Sequence, residues 1–345
     1  MSLQNQYGKF ATKIKLTRES AEYNEAKEKD ALIKPKIEKA FEAEGYVVLR
    51  SFQQGSLASF TGIIPLDGDY DIDRGIVITK ASSPDNPIAP KLVVKRVLKK
   101  HGFKDPKIKK PCVTANYESK SIHIDYVVYR ENTISQLELA VGKEYSNENQ
   151  RYWDAGDPEG LKDWITWKNM GKTSAEREQF YRLVRYLKRW RDNKYTDESK
   201  RKKVFSIGLG IMIREQICFS IDSGGKPNDH KALTDTLDKI LNNYRYFTPR
   251  ANEEYTLAVE LPKSPWRDVF EESGKTTGTL LRNRLKNLHN KLLEVDGEDT
   301  LKKKCIILRK EFGDDFPESN DDTDNNCSNR TKTSQVGLSH VSSGA

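Results

Sequence analysis

The chain has 345 residues, 36% of them apolar and 32% charged, with a net charge of +8. That is room for two domains or one large bilobal one, and no apolar run approaches the roughly 20 residues of a membrane span. The N-terminus MSLQNQYGKFATKIK lacks the apolar centre of a signal peptide, and the four cysteines and five histidines are scattered, which excludes a disulfide framework and a His-built metal site and suits a reducing cytoplasm.

Residues 17–44 read as a long Lys/Glu-rich helix, divided in two if Pro35 interrupts it. GYVVLRSF (45–52) is a short β-branched run and predicts a buried strand. Gly55-Ser56 opens a short helix or turn, and DYDIDRGIVI (69–78) predicts a second strand after the Asp67-Gly68 turn. ASSPDNPIAP (81–90) is a loop, and APKLVVKRVLKKHG (89–102) is an amphipathic helix stopped by Gly102. KPCVTANYES (110–119) and SIHIDYVVYR (121–130) predict a hairpin turning at Ser119-Lys120.

Beyond residue 160 the pattern turns helical. SAEREQFYRLVRYLKRWRDNKY (174–195) sets Phe180, Leu183, Val184, Leu187 and Trp190 on one face, leaving Arg185, Lys188 and Arg189 as its polar side. Helices follow at 204–219, 231–244, 277–295 and 299–313. From Asp314 on, almost nothing is apolar: residues 313–345 hold six acids and two bases, which predicts a disordered tail. The rest of the chain is correspondingly basic, which points to an anionic partner such as a nucleotide, or to a solvated lysine surface. The expected organisation is an α+β lobe over 1–160, a helical lobe over 161–313 and a tail over 314–345.

The chemistry concentrates at residues 54–77. Asp69, Asp71 and Asp73 alternate, so on a strand they share one face. Like charges that close need neutralising, and hard divalent cations take such carboxylates together with substrate phosphates and water. Asp125 is the one acid inside the later strand and offers a third ligand. Gly55 lets a backbone approach phosphate oxygens, and Ser56 adds a hydroxyl and exposed N–H groups. Alternating acids also suit a solvated sheet face, and RYLKRW taken alone is simply an amphipathic helix with solvated cations.

Taken together, QGS (54–56), YDIDRG (70–75), IHIDYVVY (122–129), RYLKRW (185–190) and FSIGLGI (205–211) resemble the bacterial cGAS/DncV-like nucleotidyltransferases (CD-NTases), a branch of the polymerase-β-type superfamily. The likeness spans about residues 45–215. It implies a bilobal nucleotidyltransferase fold with a mixed-sheet lobe, a long N-terminal spine helix and an active-site cleft. It implies Asp71 and Asp73 as paired ligands of two Mg²⁺ ions (or Mn²⁺), with Asp125 as the third carboxylate. Gln54, Gly55 and Ser56 resemble the triphosphate loop; Lys188 and Ser206 resemble residues that reach the donor triphosphate from the helical lobe. The family pattern has a hydrophobic residue after the second Asp, where this chain has Arg74; the other register would pair Asp69 with Asp71.

The resemblance further implies synthesis of a cyclic oligonucleotide, by default a dinucleotide, from ATP or GTP, with a downstream effector in anti-phage (CBASS) defence. Neither a membrane nor nucleic acid is required. The terminal Gly344-Ala345 is either a handle for an E1/E2-like conjugating enzyme, joined through Ala345, or the end of an inert tail. The competing readings are a linear template-independent transferase, oligoadenylate synthetase-like or tRNA-end-adding, and a non-catalytic RNA-binding module.

Overall fold

Alternating β-branched residues and glycine or aspartate turns build the first half of the chain, and long amphipathic runs build the second. The computed structural model describes residues 2–17, 19–66, 70–117 and 122–320. Helices α1 (Leu3–Ile14) and α2 (Ala21–Ala43) lead into β1 (Val48–Gln54), the one-turn α3 (Gly55–Ala58) and β2 (Tyr70–Thr79). Then come α4 (Ile88–Lys100), β3 (Lys107–Ile108), β4 (Val113–Tyr117), β5 (Ile122–Glu131), β6 (Leu137–Val141), β7 (Tyr152–Gly156) and α5 (Pro158–Ile165). The remainder is α6 (Ser174–Lys194), α7 (Glu198–Arg201), α8 (Ser206–Gln216), α9 (Asp229–Leu241), a small hairpin of β8 (Phe247–Pro249) and β9 (Tyr255–Leu257), α10 (Gly274–Gly297) and α11 (Leu301–Phe312). None of the described helices is long and apolar enough to cross a membrane.

The sheet is mixed. Its order is β1-β2-β5-β4-β3, with β6 added to β5 and β7 to β6. β2 and β5 run parallel, and the other pairs are antiparallel. Strand alternation gives the sheet two unlike faces. Ile72, Ile76 and Ile78 of β2 and Ile124, Tyr126 and Val128 of β5 pack on α2 and α4 through Ile33, Ile37, Phe41, Val93, Val94, Val97 and Leu98. Asp73, Gly75 and Val77, with Asp125, Val127 and Tyr129, therefore look the other way. A second core joins α1 to α6 and α8–α11, with Trp190, Phe180, Tyr186, Leu285 and Leu308 at its centre.

One expectation left open is decided and three change. α2 is one continuous helix with Pro35 inside it. Ile33, Ile37 and Phe41 are anchored in the core on both sides of Pro35, and that packing outweighs the roughly 3 kcal/mol that an internal proline costs. Residues 3–14, read as part of the first lobe without an element of their own, form α1 and bury Tyr7, Phe10 and Ile14 in the second core. The polar side foreseen for the 174–195 helix is not solvated: Arg185, Lys188 and Arg189 are all buried. The tail does not begin at Asp314 either. Phe316 is fully buried against Tyr7, Phe10 and Phe312, and Asp315 lies 3.1 Å from Arg189. Residues 321–345, including Ala345, lie outside the described residues, as do Asp69 and the turn at Ser119-Lys120.

Candidate active site

Strand register sets four polar residues in one row across the sheet. Gln54 of β1 lies opposite Asp73 of β2, Asp73 beside Asp125 of β5, and Asp125 opposite Thr114 of β4. Neighbouring positions in a register share a face, so the Asp73 and Asp125 carboxylates stand side by side on the face away from α2 and α4. Asp71 is two residues upstream on β2, paired with His123, and its side chain lies outside the described residues. Thr114 donates its hydroxyl to Asp125, and Lys109 Nζ is 3.9 Å from the same carboxylate. Burial, reinforced by Asp125, pushes the neighbouring Cys112 thiol up to about 12, so it stays protonated.

Gly55 closes over this row. Its φ is +74°, and a Cβ built there would stand 1.9 Å from Asp73 Oδ2. Only a residue without a side chain lets the turn from β1 into α3 lie on that carboxylate. Gly75 works similarly one row along, since a Cβ there would meet the Phe52 ring at 2.7 Å. Phe52 in turn stacks on Tyr129, whose hydroxyl donates to Gln54 Oε1 at 3.0 Å. Burial raises the Tyr129 pKa well above its ordinary value, and the hydroxyl stays a donor. Arg74, the departure from the family pattern, points to the opposite face, where its Nε donates to the buried Asp30 of α2 at 2.9 Å. A polar residue is accommodated there because α2 supplies its counter-charge.

A cavity of about 350 Å³ opens between the sheet and the helices. Gln54, Gly55 and Ser56 form one wall, Leu161 and Lys162 of α5 another, and Lys188 of α6 with Ser206 of α8 the third. Five residues separated by up to 152 positions in sequence, Gln54, Gly55, Ser56, Lys188 and Ser206, thus meet around one space. Asp73 adjoins it through its contact with Gly55.

The cations of α6 reach the loop that follows α3. Arg185 Nη1 donates to the Phe60 carbonyl at 2.6 Å, Lys188 Nζ to that of Thr61 at 2.8 Å, and Arg189 Nη2 to that of Ile64 at 2.5 Å. The helical half thereby holds the segment carrying the Gly-Ser turn. Burial lowers the Lys188 pKa to about 7, with Arg191 adding to the effect and Asp73 opposing it. Ser206 is the first residue of α8, and its hydroxyl accepts from Arg191 at 2.7 Å.

Two cavity residues escape a sequence reading. Lys162 sits on α5, whose start is marked by Asp157-Pro158: Asp157 accepts from the Gly160 N–H at 2.7 Å, with Pro158 as the first helical residue. Tyr129 shares the face of Asp125, four residues on, so period-two counting from Asp125 reaches it. Lys162 and Lys188 are the two cations among the lining residues named for this cavity, so most of the chain's positive charge lies elsewhere. Among the described residues no group of three or more His, Cys, Asp or Glu is placed to hold a metal ion. The donor set that is described, two adjacent carboxylates beneath a side-chain-free turn, fits hard divalent cations.

Residues 50–129 match the family model described as cyclic GMP-AMP synthase DncV-like, nucleotidyltransferase domain. That segment holds β1, α3, β2 and β5, so the matched region is the one that carries Gly55, Asp73 and Asp125. A cyclic GMP-AMP synthase of Escherichia albertii is 27% identical over 206 residues, covering 54% of this chain and 42% of that protein, so the match spans less than half of the relative. The Bradyrhizobium diazoefficiens CD-NTase CdnG, solved in complex with GTP, superposes with a TM-score of 0.67 at 17% identity, over 91% of this chain and 96% of that one. CdnC of Escherichia coli MS115-1, solved with ATP, gives 0.65 at 14% identity over 91% and 98%. Vibrio cholerae DncV with nonhydrolyzable GTP gives 0.58 at 17% over 92% and 82%. The α+β fold expected from the sequence is therefore the CD-NTase fold, and it extends past residue 215, beyond which no motif was legible.

Proposed function

We propose that this protein is a metal-dependent nucleotidyltransferase that joins NTPs, ATP and GTP foremost, into a cyclic oligonucleotide. A cyclic dinucleotide is the default product, acting as a second messenger on a downstream effector in anti-phage CBASS defence. One observation carries the reading: the convergence of Gln54, Gly55, Ser56, Lys188 and Ser206 on one cavity, beside the in-register pair Asp73 and Asp125. The likeness to proteins solved with GTP or ATP, and to a cyclic GMP-AMP synthase, supports it.

The reaction is attack of a ribose hydroxyl on an α-phosphorus. The new P–O bond forms as the bond to the bridging oxygen breaks and pyrophosphate leaves. Asp71, Asp73 and Asp125 would hold Mg²⁺ or Mn²⁺, which when bound supplies neutralisation of the phosphates and acidification of the attacking hydroxyl. The chain's own residues bind and position. Gly55 allows the phosphates close to the backbone, and Ser56 offers its hydroxyl and N–H groups. Lys188, held near neutrality by burial, gains charge when a triphosphate lies beside it. Ser206 presents a hydroxyl oriented by Arg191. Tyr129 fixes Gln54, while Leu161, Ile165, Phe180 and Val184 supply an apolar wall that excludes water and accepts a base. Catalysis on this reading is positioning and charge neutralisation.

Incubation with labelled NTPs and Mg²⁺, followed by phosphatase and mass identification, tests it. A phosphatase-resistant ring is expected, lost in the Asp71→Ala/Asp73→Ala double variant. Full activity in that variant refutes the assignment, and a phosphatase-sensitive product makes the enzyme a linear transferase.

A further inference from the structure

Positive charge is concentrated behind the sheet, away from the cavity. Residues 91–110 contain nine Lys or Arg against a single acid, Asp105, so this stretch alone carries as much net charge as the whole chain's +8. It comprises α4, which packs on the face of the sheet opposite Asp73 and Asp125, and the edge strand β3. Val93, Val94, Val97 and Leu98 bury one side of α4, which turns Arg96, Lys99 and Lys100 outward. His101, Lys104, Lys107, Lys109 and Lys110 continue the exposed line, and Lys36 of α2 adds a cation 3.0 Å from His101 Nδ1. α4 alone is about 20 Å long.

Lys91 fixes the far end of this surface. It is fully buried, and its ammonium donates to the carbonyls of Lys109, Lys110 and Gly142 at 3.0, 2.8 and 2.9 Å. The turn that displays Lys109 and Lys110 is thus held against α4. Three acids approach the outer cations as exposed pairs, Glu44 with Arg96 at 2.9 Å, Asp105 with Lys107 at 3.7 Å and Glu272 with Lys110 at 3.1 Å, while Lys109 lies 3.9 Å from the half-buried Asp125. Such exposed pairs are weak and exchange readily for a phosphate.

We propose that the α4–β3 surface binds the phosphate backbone of a nucleic acid. The chemistry of the patch selects this partner. A membrane surface would call for apolar anchors, and Leu92 is the one large exposed apolar side chain among the described residues of this stretch. Protein interfaces are depleted in lysine, which makes up eight of the nine cations here. Lysine point charges suit phosphates and read no bases, so binding is sequence-independent and salt-sensitive. α4 packs on the other face of the sheet from the aspartates, so phosphates along Arg96, Lys99 and Lys100 leave the cavity open to nucleotides, and Lys109, 3.9 Å from Asp125, marks the edge of the patch nearest them.

The test is anisotropy of a fluorescein-labelled 20-nucleotide RNA, single-stranded and duplex, and of the matching DNA duplex, with the full chain between 50 and 200 mM salt. About three to five phosphate contacts give a slope of log K against log salt of about −3 to −5. Arg96→Glu/Lys99→Glu/Lys100→Glu is expected to weaken binding at least tenfold at 50 mM salt and to flatten the slope by about 3. Lys200→Glu/Lys202→Glu/Lys203→Glu, an equal charge change in and just after α7, is expected to leave both nearly unaltered. The neutral triple variant to Gln, with a smaller loss in the same direction, serves if the reversed one does not fold. Equal weakening by the α7 variant, absence of binding at 50 mM salt, or capture by phosphatidylserine vesicles without RNA or DNA binding would each overturn the proposal.

Discussion

Replacing Gly55 by alanine probes the contact on which the site is built. The new Cβ would stand 1.9 Å from Asp73 Oδ2 and 2.8 Å from its Cγ, where ordinary contact begins near 3.4 Å. The turn or the carboxylate must therefore move by about 1.5 Å, and displacements near 1 Å cost about 100-fold in rate when they misalign reacting groups. The backbone contributes separately: at φ +74° alanine costs about 1–2 kcal/mol relative to glycine. Gly102→Ala isolates that second part, because Gly102 has φ +83° and nothing within 4 Å of its built Cβ. Urea melts of both variants should show similar destabilisation. Pyrophosphate release from NTPs with Mg²⁺ should fall about 100-fold or more in kcat for Gly55→Ala and stay near wild type for Gly102→Ala. A Gly55→Ala enzyme with kcat within about threefold of wild type would show that this approach of backbone to Asp73 does not position the reaction.

Lys188 predicts a pH effect on stability. Its pKa is about 7 folded against 10.5 unfolded, so between those values the unfolded chain holds a proton that the folded chain has lost, and stability rises with pH. Lys188→Met removes this contribution, so the wild-type minus variant difference in urea-derived stability should climb by about 1.4 kcal/mol per pH unit from about pH 8 to 9.5; a flat difference refutes the lowered pKa of the buried lysine. Phe316 predicts a boundary: deleting residues 321–345 should leave the melt unchanged, whereas Phe316→Ala should cost about 3–5 kcal/mol. Equal stability of wild type and Phe316→Ala would mean that the segment after α11 contributes nothing to the core.

Local signals carried much of the catalytic half. Period-two alternation identified β2 and β5, and Gly102 stopped α4 in a left-handed conformation as its position suggested. α1 was also written in the sequence: Tyr7, Phe10, Ala11 and Ile14 follow a helical spacing, and Ser2 accepts from the Asn5 N–H at 3.3 Å as its cap. The polar residues between them hid it. Pro35 left the continuity of α2 open because propensity is local and the anchoring of α2 is not. Arg74 looked like a break in a pattern until Asp30, 44 residues upstream, appeared as its partner.

The least legible feature is the one that joins the two halves. Arg185, Lys188 and Arg189 have the spacing of a solvated helix face, and nothing nearby in sequence says otherwise. They are buried because backbone carbonyls about 125 residues away, at Phe60, Thr61 and Ile64, lack strand or helix partners and accept from them. Each side satisfies the other's desolvation, so neither the bare carbonyls nor the buried cations would be tolerable alone. The arrangement also has a consequence for binding. Lys188 cannot give all its donors to a phosphate while one is given to Thr61, so a triphosphate in the cavity competes with, or adds to, the bond that ties α6 to the loop after the Gly-Ser turn. On the proposed function, nucleotide occupancy and the hold of the helical half on that loop would be coupled through the Lys188 amino group.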